Sequence, residues 1–165
     1  MTLSTHEIQK IVTDALRDSG VMTAPINPEH VAEALGVNVV FFEDTNEDVL
    51  KNVAGFYDFD ERKIYVNKGM RPSEKMFTIA HELGHHLMHQ DYANSENYVV
   101  LPRFKDYGAS PIPNEEKEAD QFALLLLMPK DELDKYKKIL SSTERLAEIF
   151  AVSPNLIRDR LAIAA

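Results

Sequence analysis

The first 36 residues carry apolar side chains at the spacing of amphipathic helices. Ser4 is followed three residues later by Glu7, which is the capping-box signature of a helix start, and apolar positions then repeat every three or four residues up to Gly20. Asn27 and Pro28 predict a shorter second helix, because asparagine is a good cap and proline is favoured at the first helical position. We interpret the first helix as scaffold.

Between residues 37 and 67 the pattern becomes typical of strands. Residues 37–42 form a β-branched and aromatic run, and residues 53–58 and 63–67 form two more runs joined by a polar turn, which predicts a hairpin. The acidic connection over residues 43–52 is interpreted as a solvated loop. If an edge strand of this sheet is exposed, it offers an extended peptide a place to pair by its backbone.

Helical spacing returns over residues 72–89. Ser73 is the expected cap, with Glu74 in the first turn, and a core-facing stripe follows. The stripe consists of Met76, Phe77, Ala80, Leu83, Gly84, Leu87 and Met88. Because this helix starts a few residues after the hairpin, we expect the two to pack together.

The same helix contains an HExxH pattern at His81, Glu82 and His85. Positions four apart lie on one face of a helix, so the two imidazoles are able to converge on one ion. Glu82 is rotated by about 100° from His81, which places its carboxylate beside the ion, where a base takes a proton from an activated water. The alternative is a His-rich surface helix, but His81 and Glu82 adjoin core positions where an unpaired polar group is costly.

Residues 90–113 form a polar stretch with three prolines and no clear periodicity. Long loops inside compact domains are usually functional lids or partly disordered, and we favour a lid or substrate-facing loop. Residues 98–101 are a candidate brief strand within it. A second informative helix is predicted over residues 114–128.

A zinc site built on HExxH needs one more protein ligand. Asp91 stands ten residues after the first histidine, but Met88 occupies the position where a glycine normally lets the chain turn back, so Asp91 is a weak candidate. His89 lies on the correct face, but about 12 Å along the helix axis from His81, which is too far to share its ion.

The acidic helix supplies the better candidates. We favour Glu116, because Asp120 lies four residues later on the same face, where its carboxylate would accept the outer N–H of a ligand histidine. Glu118 is turned by about 200° from Glu116 and is expected to face away. Glu118 and Glu115 remain the alternatives for the ligand, although Glu115, Lys117 and Glu118 also fit a solvated face.

Residues 141–163 predict two short helices joined at Val152 and Ser153, an arrangement that resembles a helix-turn-helix. The second helix offers only Arg158 and Arg160 as cations, with Asp159 between them, which is a thin positive face for phosphate contacts. The segment therefore favours packing or recognition of another protein over direct DNA binding.

Composition narrows the class of protein. A chain of 165 residues with 44% hydrophobic content is typical of a single globular domain, and we expect one domain over residues 1–165 that includes the 141–163 helical pair. Eighteen basic against 27 acidic residues give a net charge of −9, which disfavours nucleic acid and anionic membrane as partners. The absence of cysteine excludes disulfides and thiolate metal sites. No signal-like segment is present, so we expect a cytoplasmic protein.

Two motifs in this order resemble the ImmA/IrrE family of metallopeptidases. The first is the FTIAHELGH helix, residues 77–85, and the second is an acidic helix of the form E-x-x-A-(N/D)-x-F-A-x-x-L-L-M-P, which runs here from Glu116 to Pro129. Residues 26–36 and the strand at residues 65–67 also resemble the family's usual lead-in. Leu124, Leu125 and His86 depart from the pattern without touching the inferred chemistry.

The resemblance implies a compact α+β metallo-endopeptidase, with a small, mainly antiparallel sheet packed on a helical, zincin-like core that carries the HExxH helix. It also implies Zn²⁺ held by His81, His85 and Glu116, with Glu82 as the catalytic glutamate, although Mn²⁺ or Fe²⁺ occupies similar ligands. Family members typically cleave helix-turn-helix transcriptional repressors encoded beside them on phages and mobile elements, or act in stress responses. Such a cut turns the repressed genes on.

Several points stay open at the level of sequence. Candidate donors to the oxyanion of the reaction are Tyr57, Tyr65, Tyr98, Tyr107 and His89. A non-proteolytic, metal-containing regulator or toxin-like protein that acts by binding a repressor is the main alternative to a peptidase, and a DNA-binding protein with a vestigial site is a further one. Substrate, scissile bond, activating signal and oligomeric state are not encoded in recognisable motifs.

Overall fold

The computed structural model describes residues 2–43, 52–102 and 111–164. Within these ranges the chain forms eight helices and four strands. In chain order they are α1 (Thr5–Ser19), α2 (Pro28–Ala34), β1 (Asn38–Phe42), β2 (Val53–Asp58), β3 (Lys63–Asn67), α3 (Pro72–Met88), α4 (Gln90–Ala93), β4 (Leu101–Pro102), α5 (Asn114–Leu127), α6 (Lys130–Lys137), α7 (Thr143–Phe150) and α8 (Pro154–Ala162).

The four strands form one sheet in the order β1-β3-β2-β4. β1 pairs with β3 in parallel, whereas β2 pairs antiparallel with both β3 and β4. The predicted hairpin has the expected bounds, and its turn places Arg62 at a φ of 52°. The predicted α+β fold with a small, mainly antiparallel sheet is therefore confirmed. The edges of the sheet are β1 and the two-residue β4, which covers only the start of β2.

Helix α3 lies between the sheet and α5, and its contacts with both are unusually close. An added Cβ at Gly55 of β2 would lie 2.5 Å from Thr78 Cγ2 of α3 and 2.5 Å from the carbonyl oxygen of Tyr65 in the neighbouring strand β3. On the side that faces α5, Gly84 leaves room for Phe122, whose nearest ring atom would lie 3.1 Å from a Cβ at position 84. The helix that carries the HExxH residues is thus clamped from both sides.

The caps of the first two helices agree with the sequence prediction. Ser4 and Glu7 form the capping box, Gly20 ends α1 at a φ of 72°, and Asn27 accepts a hydrogen bond from the N–H of Glu29. The predicted cap of α3 at Ser73 is wrong. The cap is Arg71, two residues before the predicted one, because Pro72 takes the first helical position.

Part of the polar stretch over residues 90–113 has regular structure. Helix α4 and β4 lie within it, and the strand that was predicted at residues 98–101 begins only at Leu101. Residues 103–110 lie outside the described residues, so the choice between a lid and disorder over residues 90–113 concerns a stretch that the structure describes only at 90–102 and 111–113. The same holds for residues 44–51 of the acidic connection.

The C-terminal pair forms two helices with the predicted junction, where Ser153 caps α8, and Ser142 caps α7, but Arg160 does not belong to a positive face. It is 1% exposed, and its Nε donates a hydrogen bond of 3.0 Å to the carbonyl oxygen of Met128. The sequence pattern of α8 did not reveal this, because the guanidinium is drawn inward by a carbonyl at the end of another helix. None of the helices in the described ranges has the length and apolar content needed to cross a bilayer.

Candidate metal centre

Helices α3 and α5 bring His81, His85 and Glu116 together in the protein interior. All three side chains are fully buried. Glu116 Oε2 lies 3.1 Å from His81 Nε2, and its Oε1 lies 3.2 Å from His85 Nε2. One potential ligand atom from each residue lies within 4.8 Å of the others, which is the arrangement that a single metal ion requires.

Asp120 lies on the outer side of the His81 ring. Its Oδ1 is 2.9 Å from His81 Nδ1, one helical turn after Glu116. When Nδ1 carries the proton and donates to the carboxylate, the lone pair of Nε2 faces the cluster. The carboxylate thus selects the form of the ring that binds a metal.

Glu82 lies beside this group, and in the described part of the chain one of its two oxygens has a hydrogen-bond partner. The Tyr98 hydroxyl donates a 2.7 Å hydrogen bond to Oε2. Oε1 is buried and has no hydrogen-bond partner among the residues that the structure describes. An unpaired oxygen of this kind is costly unless the site receives a further ligand, water or substrate.

The electrostatics of the site favour a cation. Burial raises the pKa of Glu82. Burial alone would lower the pKa of His81, but hydrogen bonds to Asp120 and Glu116 raise it to about 10. Burial would raise the pKa of Glu116, but hydrogen bonds with His81 and His85 lower it to about 2. The carboxylates of Glu116 and Asp120 place negative charge beside two imidazoles in a buried pocket. The residues therefore fit a divalent metal ion.

Two tyrosines from the stretch between α3 and α5 reach the site, and only one of them was among the predicted candidates. Tyr98 contacts Glu82, whereas the Tyr92 hydroxyl donates a 2.9 Å hydrogen bond to Glu116 Oε1 and accepts one from the N–H of Val99. Tyr92 was missed, although an aromatic residue within a polar run is a signal of burial.

The other tyrosines that the sequence offered as oxyanion donors either make contacts away from the buried carboxylates or lie outside the described residues. The Tyr57 hydroxyl is 2.7 Å from His86 Nδ1, and the Tyr65 hydroxyl donates to exposed Glu61. Tyr107 lies outside the described residues. Neither Tyr57 nor Tyr65 has its hydroxyl at the buried carboxylates.

The interpretation of Glu118 as a solvated residue is wrong. Glu118 is 6% exposed, and its Oε2 lies 2.8 Å from His89 Nε2. Its other oxygen accepts a 2.8 Å hydrogen bond from the N–H of Leu3. Both faces of α5 are buried here, one by α3 and the other by the start of the chain, so helical rotation away from Glu116 does not lead to solvent. Asp91 is exposed and does not join the cluster.

Comparisons with known proteins agree with the motifs. The family described as the IrrE N-terminal-like domain matches residues 32–162. The chain is 29% identical over 132 residues to "Uncharacterized immunity region protein 2" of Bacillus phage phi105, an alignment that covers 79% of this chain and 76% of that protein.

Among solved structures, the chain resembles a Mycobacterium tuberculosis transcriptional regulator with a TM-score of 0.67 and 19% identity. That alignment covers 95% of this chain but 46% of the regulator, so the chain spans about half of the regulator's length and the likeness concerns the fold. The family match extends over most of the sequence and includes both site helices. The chain therefore belongs to the IrrE N-terminal-like domain family of metallopeptidases, the ImmA/IrrE family.

Proposed function

We propose that this protein is a zinc-dependent endopeptidase of the HExxH-plus-glutamate type and that it cleaves a helix-turn-helix transcriptional repressor in the cytoplasm. The observation that carries the proposal is the buried group of His81, His85 and Glu116 with Glu82 beside it. Two imidazoles and one carboxylate are ligands that zinc prefers, and they leave one coordination position for the reaction. We further propose that residues 1–165 act as one metallopeptidase domain that includes the 141–163 pair.

The roles of the protein's own residues follow from their contacts. A divalent ion bound by His81, His85 and Glu116 would polarise the scissile carbonyl and make an attacking water more acidic. Glu82 accepts the proton of that water at Oε1, the oxygen that has no other partner among the described residues. It then donates the proton to the leaving amine.

Tyr98 acts on this chemistry through Glu82. Its hydroxyl donates to Oε2, and the same oxygen accepts a 2.8 Å hydrogen bond from the N–H of Tyr57, so the hydroxyl is held both as a donor and as an acceptor. This leaves Oε1 as the oxygen that faces the reaction. We therefore assign Tyr98 as a positioning residue for the base.

The repressor as substrate is supported by the family and by the printed name of one relative. The ImmA/IrrE resemblance implies a helix-turn-helix repressor, and the relative from Bacillus phage phi105 is called an immunity region protein. A cut in such a repressor would turn on the genes that it silences.

The test is to incubate the purified, zinc-loaded chain with the repressor encoded beside its gene and to analyse the mixture by mass spectrometry. We expect discrete fragments of the repressor with the wild-type chain and none with Glu82→Gln, which keeps the size of the side chain but removes the base. Intact repressor with both proteins, together with full biological effect of Glu82→Gln, would instead support a regulator that acts by binding.

A further inference from the structure

The outer nitrogen of His85 begins a buried chain of hydrogen bonds that crosses α5. His85 Nδ1 lies 3.2 Å from His89 Nδ1, and His89 Nε2 lies 2.8 Å from Glu118 Oε2. The chain ends at Leu3, whose N–H donates to Glu118 Oε1 over 2.8 Å. His85, His89 and Glu118 are 0%, 8% and 6% exposed, so water does not substitute freely for any of these partners. We call His89 and Glu118 the relay.

The direction of the protons in the relay is set from its far end. The Leu3 N–H is a fixed donor to one oxygen of Glu118, and the other carboxylate oxygen accepts from His89. His89 Nε2 must therefore carry a proton, which leaves Nδ1 of a neutral His89 as an acceptor. His85 must then donate from Nδ1, and its Nε2 presents a lone pair to Glu116 and His81.

We propose that Glu118, acting through His89, sets the tautomer and orientation of His85 and thereby tunes the affinity of the site for its metal ion. This inference rests on the proposed metal site. The tautomer of His81 is set by a direct hydrogen bond to Asp120, whereas that of His85 is set through an intervening histidine. His89 and Glu118 are positioning residues in this proposal and do not touch the ion.

A purely structural role for the relay makes a different prediction. Glu118 also fixes the start of the chain through Leu3, and Gln121 does so one turn later by donating to Thr5 Oγ1 over 2.7 Å. If the relay only fixed this segment, its loss would lower stability and leave metal affinity as it was. Gln121→Ala is therefore a matched control, because it releases the same segment from the same helix without touching His89.

The test compares zinc affinity, measured by competition with a chromophoric chelator, in the full chain and four variants. Glu118→Gln puts an amide where the Leu3 N–H and the Nε2–H of His89 both donate. Its NH₂ group then either faces the Leu3 N–H without an acceptor or requires His89 to move its proton from Nε2 to Nδ1. His89→Leu removes the relay, whereas His89→Gln retains an acceptor for His85 and a donor for Glu118. We expect Glu118→Gln and His89→Leu to bind zinc about 10- to 100-fold more weakly, with His89→Gln and Gln121→Ala close to wild type.

Any of three results would overturn the proposal. Wild-type affinity in both Glu118→Gln and His89→Leu would remove the relay from metal binding, and equal losses in His89→Gln and His89→Leu would show that ring packing matters instead of proton polarity. A wild-type chain that binds no zinc would end the proposal together with the metal site. A chain that binds zinc but cleaves nothing would refute only the proposed peptidase activity. The zinc affinities of the variants test the relay without any cleavage assay.

A measurement on the wild-type chain covers the case in which variants do not fold. Nitrogen-15 NMR of the histidine rings distinguishes the two tautomers. We expect the zinc-loaded protein to carry the proton of His89 on Nε2 and that of His85 on Nδ1. A proton on Nδ1 of His89 would contradict the proposal.

Discussion

Replacing Gly55 with alanine tests how closely the sheet approaches the HExxH helix. The new methyl group would lie 2.5 Å from Thr78 Cγ2 and 2.5 Å from the Tyr65 carbonyl oxygen. Ordinary contacts between non-bonded carbon atoms are about 3.5–4.0 Å, so Thr78 Cγ2 would be at least about 1 Å too close, and the carbonyl oxygen would also lie well inside its contact distance. Neither yields easily, because Tyr65 contributes backbone and the Thr78 hydroxyl is held by a 2.9 Å hydrogen bond to the carbonyl of Glu74.

The expected cost is that of overpacking a tight core, about 1–3 kcal/mol in the free energy of unfolding. For a chain of this length such a loss lowers the melting temperature by roughly 2–12 °C. Differential scanning calorimetry of the zinc-loaded protein measures the effect. Thr78→Ser removes the methyl group on the helix side, so Gly55→Ala combined with Thr78→Ser should recover part of the loss.

Two results would refute this reasoning. A melting temperature of Gly55→Ala within about 1 °C of wild type would mean that the sheet and α3 are not in contact at this position. Strictly additive effects of the two substitutions would mean that the methyl groups at positions 55 and 78 do not meet.

Three further predictions concern the site itself. Glu82→Gln should retain zinc, measured by elemental analysis, and lose at least about 100-fold in the rate of repressor cleavage, because the base is gone. Tyr98→Phe should lower kcat about tenfold with unchanged zinc affinity, because one hydrogen bond to the base is lost. Removing zinc with a chelator should lower the melting temperature by roughly 5–11 °C relative to protein at a zinc concentration of about 100 times Kd, and Glu116→Ala should abolish this difference.

Matched controls separate these outcomes from general damage. Tyr65→Phe removes a hydroxyl that donates a hydrogen bond to exposed Glu61. It should therefore leave kcat unchanged, unlike Tyr98→Phe. Zinc loss in Glu82→Gln would contradict the separation of base from ligands. A chelator effect that persists in Glu116→Ala would show that the ion binds elsewhere.

Local signals in the sequence were sufficient for most of the regular elements and for one half of the site, whereas α4 and α6 were not predicted. The capping box at Ser4 and the paired runs of the hairpin act over a few residues, so they are readable without tertiary information. The position of His85 relative to His81 is also local, because helix geometry alone fixes the face that they share.

Features that depend on packing between distant segments were not readable. Glu118 is buried because the start of the chain covers the far side of α5, a contact across 115 positions. Arg160 turns inward for a carbonyl 32 positions away, and Tyr92 reaches Glu116 across 24. Periodicity reports which side of an element is apolar, but it does not report which neighbour will cover a polar side chain.

The hydrogen bond from Arg160 to Met128 joins the C-terminal helical pair to the end of α5. Glu116 lies near the other end of that helix, twelve residues earlier, which is about 18 Å along the axis. α5 therefore sets a fixed distance between the helical pair and the carboxylate of Glu116. A protein bound by α7 and α8 would lie at a distance from the site that a rigid helix fixes, not a flexible linker. The distance between its bound segment and its scissile bond, as well as side-chain chemistry, would then select the bond that is cut.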